Sequence, residues 1–139
     1  MLKDLTIGKV AKASGVGIET VRFYERKGLI EKPKRRGTGA FRAYNPDDPG
    51  RIRFIKRAQD LGFTLREIKD ILDLNTNPKA TCTDMRLKAD AKVVEVESKL
   101  KDLKRMLKAL RELASACGES KQAASACQVM NCFEAGWKC

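Results

Sequence analysis

The 139-residue sequence contains no histidine. That removes imidazole as a general base, every Ser-His triad and all histidine metal ligation, and with them most hydrolytic chemistry. There is no apolar run near the roughly 20 residues that a membrane-spanning helix needs. Met1-Leu2-Lys3-Asp4-Leu5-Thr6 lacks the apolar stretch of a secretion signal. A cytoplasmic protein with no membrane partner is expected. The first half lacks cysteine: Cys82, Cys117, Cys127, Cys132 and Cys139 all fall in the second. An odd number of thiols in a reducing compartment points to metal binding or redox sensing, not to a closed disulfide set. No nucleophile–base pair and no nucleotide-binding loop is visible, so an enzyme is not expected.

Positive charge is what the sequence has in excess. Twenty-nine Lys+Arg stand against 18 Asp+Glu, a net of +11. Residues 1–74 hold 17 basic and 10 acidic residues, a net of +7; residues 75–139 hold 12 and 8, a net of +4. Such an excess suits a polyanion, most simply nucleic acid, because Lys and Arg displace counterions from phosphates. The composition therefore predicts a basic module followed by a thiol-bearing one.

Local signals give that first module a shape. Thr6 before Ile7–Ala13 reads as a capped short helix with Ile7, Val10 and Ala13 on one face. Ser14-Gly15-Val16-Gly17 reads as a turn, and Ile18–Arg26 as a second helix closed by Lys27-Gly28, together a helix-turn-helix. Leu29–Tyr44 carries Lys32, Lys34, Arg35, Arg36 and Arg42 among Pro33, Gly37 and Gly39. Strands at Leu29-Ile30 and Phe41–Tyr44 around a Lys34–Gly39 tip would make a basic wing; a solvated basic loop is the alternative. Asn45-Pro46-Asp47-Asp48 reads as a helix start, with Asn45 as N-cap and Pro46 at the first helical position. Ile52, Ile55 and Ala58 carry that helix to Leu61-Gly62. Thr64 and Glu67 have the spacing of a capping box, opening a helix with Ile68, Ile71 and Leu72 on its apolar face. Asn75-Thr76-Asn77-Pro78 then breaks the chain.

From Ala80 to about Ala116 there is neither Pro nor Gly. Val93, Val96, Leu100, Leu103, Leu107, Leu110 and Ala114 recur at alternating steps of three and four, the seam of a coiled coil. A lone helix cannot hide such a stripe, so it needs a partner. The stripe is packing surface and carries no chemistry of its own.

These blocks together resemble the MerR family of bacterial transcription regulators. Leu5-Thr6-Ile7-Gly8-x-x-Ala11, Glu19-Thr20-Val21-Arg22-Phe23-Tyr24-Glu25-Arg26-Lys27-Gly28-Leu29, Arg42-Ala43-Tyr44, Arg53-Phe54-Ile55-Lys56 and Leu61-Gly62-Phe63-Thr64-Leu65-x-Glu67-Ile68 agree with it in order and spacing. The likeness runs nearly continuously over residues 5–117. It implies a mainly α protein with a winged helix-turn-helix DNA-binding domain at 1–75, a long antiparallel coiled-coil dimerisation helix at 79–117, and a short metal-binding loop and C-terminal tail at 117–139. It implies a homodimer on double-stranded promoter DNA, acting with bacterial RNA polymerase. Thr20, Arg22 and Tyr24 become contact candidates on the recognition helix; Lys34, Arg35, Arg36 and Arg42 become wing candidates; Tyr44 would orient the wing or touch phosphate. The sequence departs from the family pattern at Pro49-Gly50, where the third helix is expected to loosen locally, and in the tail after Cys127.

Cys82 and Cys117 are 35 residues apart, about 52 Å along one straight helix, so they cannot share an ion within one chain. Antiparallel pairing of two copies brings the helix start of one beside the helix end of the other, and Cys82 can then meet Cys117 and Cys127 across the interface. The resemblance agrees, since metal-sensing members use a two-cysteine loop and a cysteine from the other protomer. Ordinary buried thiols are the alternative. Cys132 and Cys139 are auxiliary ligands, a relay for incoming metal, or uninvolved. Three thiolates without imidazole suit a soft divalent ion: mercury(II) first, then lead(II), cadmium(II) or zinc(II). The expected protein is a metal-responsive regulator. Its rivals are a small-molecule sensor of the same family, a tightly clustered iron–sulfur redox sensor, and a thiol metal-buffering or redox-sensing protein with no promoter.

Overall fold

The Thr6 hydroxyl accepts the Lys9 N–H and opens α1 (Ile7–Ser14). In this computed structural model, which describes residues 5–35, 42–117, 121, 123–127, 129 and 130, four further α-helices follow. They are α2 (Ile18–Arg26), α3 (Asp48–Asp60), α4 (Leu65–Thr76) and α5 (Cys82–Cys117), with a 3-10 turn at Ala124–Ala126. Two short antiparallel strands, β1 (Lys34–Arg35) and β2 (Arg42–Ala43), lie between α2 and α3, with Lys34 opposite Ala43 and Arg35 opposite Arg42. By internal contacts the chain divides into residues 1–92 and 93–139.

The first unit closes its own core. Val10, Val21, Leu29, Ile52, Ile55 and Ile68 are fully buried, with Tyr24, Ile30, Tyr44 and Leu72 around them. The helix-turn-helix reversal depends on Gly15, whose φ of 71° lets its N–H reach back to the α1 carbonyls of Ala11 and Lys12. From α3, Arg53 donates to the Ala13 carbonyl at 2.9 Å and Arg51 Nε to the Leu29 carbonyl at 2.6 Å. Two cations of one helix thereby satisfy backbone oxygens where α1 and α2 end. The Thr64–Glu67 capping box forms in full: Glu67 N–H donates to Thr64 Oγ1 at 3.2 Å and Thr64 N–H to Glu67 Oε1 at 3.1 Å.

Three local expectations need correction. Leu29-Ile30 is not a strand: both side chains enter the core, whereas a strand would send neighbours to opposite faces, and the pairing starts at Lys34, after Pro33. Asn45 does not cap α3. It forms a turn with Asp48, the Asp48 N–H donating to the Asn45 carbonyl at 3.0 Å and the Asn45 N–H to Asp48 Oδ2 at 2.9 Å, and the helix begins at Asp48. Pro49 therefore falls in the first turn, where a missing N–H removes no intrahelical bond, and α3 runs unbroken instead of loosening.

The long helix starts at Cys82, three residues later than 79. Asn77 turns the chain first, accepting from Lys79 N–H, and Asp84 Oδ2 then accepts both the N–H and the hydroxyl of Thr81. These bonds hold the Asp84 carboxyl below its ordinary range. Along α5, Val93, Val96, Leu100, Leu103, Leu107 and Leu110 stay 46–59% exposed. Among the described residues no helix is long and apolar enough to cross a membrane.

Candidate nucleic-acid interface and thiol site

Helix α2 turns Val21 and Tyr24 inward and leaves Ile18, Glu19, Arg22 and Arg26 outside. Its outward surface is thus built around Arg22, an exposed guanidinium held by Glu19 at 3.3 Å. An exposed pair of this kind contributes little to stability, so Arg22 can leave Glu19 for another acceptor. Thr20 is half-buried beside this face. Tyr24, a contact candidate from sequence, is only 3% exposed, and its hydroxyl donates to Gln59 Oε1 at 2.7 Å. Burial and then the nearby Asp60 charge push this phenol up from its ordinary value, so it stays neutral. The structure makes Tyr24 a pin between α2 and α3.

Tyr44 follows the second wing strand and is buried as well. Its hydroxyl donates to Glu25 Oε2 at 2.9 Å, and its N–H donates to the Leu5 carbonyl at 2.9 Å. It therefore ties the wing base to both α2 and the segment before α1. Lys34, Arg35 and Arg42 lie on the paired strands by backbone position. Arg36 and the remainder of the expected wing tip, together with Phe41, lie outside the described residues. Sequence reading missed Glu25, Gln59, Arg51 and Lys92. Each acts across a long sequence separation, and no periodic signal marks them; nor does any local signal mark the bond of Arg53 to the Ala13 carbonyl, 40 residues away.

Cys82 is exposed as the first residue of α5, and Cys117 is the last residue of the same helix. Cys127 is half-buried just after the 3-10 turn. Cys132 and Cys139 lie outside the described residues. Among the described residues no group of three or more Cys, Asp or Glu is assembled to hold a metal ion within the single chain. The donor set is nonetheless all thiol, which fits a soft ion and not a hard one.

Residues 5–75 match the profile of MerR HTH family regulatory proteins, and residues 50–113 that of the MerR DNA-binding region. The chain is 45% identical to the mercuric resistance operon regulatory protein of Serratia marcescens over 84% of its own length and 78% of that protein. Its fold is similar to a transcription regulator of Ralstonia metallidurans solved in complex with lead(II), with a TM-score of 0.82, 32% identity, and coverage of 93% of this chain and 98% of that one. It is also similar to a dual function regulator of Bacillus megaterium in complex with mercury(II), with a TM-score of 0.68, 35% identity, and coverage of 94% and 99%.

Proposed function

Because the chain belongs to the MerR family of DNA-binding transcription regulators, we propose that it acts as a homodimer that binds a promoter, senses a soft divalent ion through cysteine, and activates metal-resistance genes. Mercury(II) is the first choice of ion. Arg22 faces the bases from α2; Lys34, Arg35, Arg36 and Arg42 grip flanking backbone from the wing, with Thr20 beside the recognition face. Phosphate contacts set affinity and register, and only part of this set reads sequence. Tyr24 and Tyr44 hold the recognition helix and the wing in place.

The observation that carries this reading is the half-exposed stripe from Val93 to Leu110, set between a cysteine at each end of one helix. Covering the stripe with a second, antiparallel copy sets Cys82 of one subunit against Cys117 and Cys127 of the other. A soft divalent ion bound to three thiolates would supply a link between the two subunits. Two protein states then differ in the DNA shape they favour. One holds a promoter with an overlong spacer in an unproductive form, and the other untwists and bends it so that RNA polymerase reaches both of its contact regions. The α4 helix and the Asn75–Pro78 segment lie on the route between α5 and the DNA module.

The experiment uses heterodimers of Cys82→Ser with a Cys117→Ser, Cys127→Ser variant. Each parent homodimer lacks a complete site, while the heterodimer keeps one. Mercury(II) binding should return at about half the stoichiometry of the unsubstituted dimer, as twofold symmetry requires. No recovery in verified heterodimers removes the shared site and turns attention to Cys132 and Cys139. Lead(II) is the second reading of the ion, favoured by the higher structural similarity to the lead-bound regulator. Parallel titrations with the two ions, followed by the mass of the intact dimer and by transcription from the promoter, separate them.

A further inference from the structure

Lys92 is the one described lysine that the fold buries, at 6% exposure. A buried ammonium is costly without a counter-charge, and Glu67 supplies one: the Lys92 Nζ lies 3.0 Å from each carboxylate oxygen. It also stands 5.3 Å from the centre of the Phe63 ring, within the range of a cation–π contact. Glu67 already has work of its own, since the same carboxylate accepts the Thr64 N–H and closes the capping box of α4. One carboxylate thus fastens α5 to the start of α4. The fastening continues inward. The Phe63 N–H, next to Thr64, donates to the Ala58 carbonyl of α3 at 3.1 Å, and α3 in turn holds the ends of α1 and α2 through Arg53 and Arg51.

We propose that Glu67 and Lys92 form the joint through which a shift of α5 reaches the helix-turn-helix, so that the α4 cap moves with α5 and does not slip past it. This rests on the metal-responsive reading above. A turn or slide of α5 alone would draw the buried Lys92 off both oxygens of the Glu67 carboxylate, which disfavours uncoupled motion. The seam begins at the next residue, Val93, so the joint sits where α5 passes from the DNA-binding unit to the exposed stripe.

A double-mutant cycle tests it, because contiguity alone does not establish coupling. Full-length dimers carrying Lys92→Gln, Glu67→Gln or both are compared with the parent in mercury(II) stoichiometry, in promoter affinity without metal, and in the ratio of transcription with and without mercury(II). Each single substitution should lower that ratio by about tenfold, within the usual span of allosteric coupling. Stoichiometry and metal-free affinity should stay within about twofold, and the double variant should be no worse than the poorer single one, as expected of residues acting as a unit. A ratio near the parental value, effects that multiply as if independent, or loss of metal-free promoter binding would each overturn the joint. A parent that ignores both mercury(II) and lead(II) would sink the functional reading itself, a result distinguishable from all of these.

Discussion

In the helix-turn-helix unit Val10, Val21, Ile52, Ile55 and Ile68 are 0% exposed, whereas on α5 valines and leucines from Val93 to Leu110 keep about half of their surface in solvent. The same residue types have opposite fates because four helices crossing one another can enclose a core, while a single helix has only its own turns to offer. A long isolated helix draws little stability from propensity and depends on covering its apolar face. The first unit therefore closes its core within one chain, and the second leaves an apolar face that the proposed dimer would cover.

The sharpest way to break that contrast is to charge the seam. Leu103→Asp with Leu107→Asp should weaken the proposed dimer by at least about a thousandfold or unfold α5, since unpaired carboxylates in an apolar interface cost several kcal/mol. Sedimentation checks it, and an intact dimer would show that the stripe is not the interface. Ile52→Ala in the closed core should lower stability by about 2–5 kcal/mol through lost transfer energy and a residual cavity. Urea unfolding should show this loss to be independent of protein concentration, unlike seam substitutions, whose effect follows mass action.

Substitutions on the outer face should separate binding from stability. Arg22→Ala is expected to weaken promoter affinity by about 1–3 kcal/mol if its contact is to a base, and to leave the unfolding midpoint nearly unchanged, because its pair with Glu19 is exposed. Unchanged affinity in a folded variant would take Arg22 off the interface.

The smallest effect is one of pH. The Lys92 hydrogen bond, then the Thr64 hydroxyl and N–H, hold Glu67 below its ordinary value of 4.5. A carboxylate lowered on folding contributes stability above its unfolded pKa and loses it as pH falls through the folded value. Glu67→Gln should therefore lower stability at neutral pH and make the acid loss shallower. Asp48, raised chiefly by burial and relieved in part by the Asn45 N–H and Arg51, works the other way: its contribution is present in acid and lost as pH rises through its folded value. Urea midpoints from neutral down to about pH 3 measure both.

Much of the fold was readable because its signals are local. The Thr6 cap, the Thr64–Glu67 box and the Gly15 reversal each involve residues within one helical turn of one another, and all three stand in the structure. Periodicity likewise marked the buried faces of α3 and α4. What failed were details decided by competition at short range. Asn45 and Asp48 both suit the start of α3, and reciprocal hydrogen bonds between them move that start forward. Leu29-Ile30 looks like a strand until the core claims both side chains. Of the contact candidates on α2, Arg22 is exposed, whereas Tyr24 is buried with its hydroxyl on Gln59, 35 residues away.

By itself the sequence determined the five helices, the Thr6 and Thr64 caps, the apolar stripe of α5 and the placing of all thiols after the DNA-binding module, because each follows from residues close together along the chain. The tertiary structure alone decided which side chains those elements bring together: Tyr24 with Gln59, Tyr44 with Glu25, and Lys92 with Glu67, 25 residues apart. Such pairs depend on how helices cross. Crossing is set by the packing of whole faces and by the demand that every buried polar group find a partner, a condition that no local stretch of sequence can express.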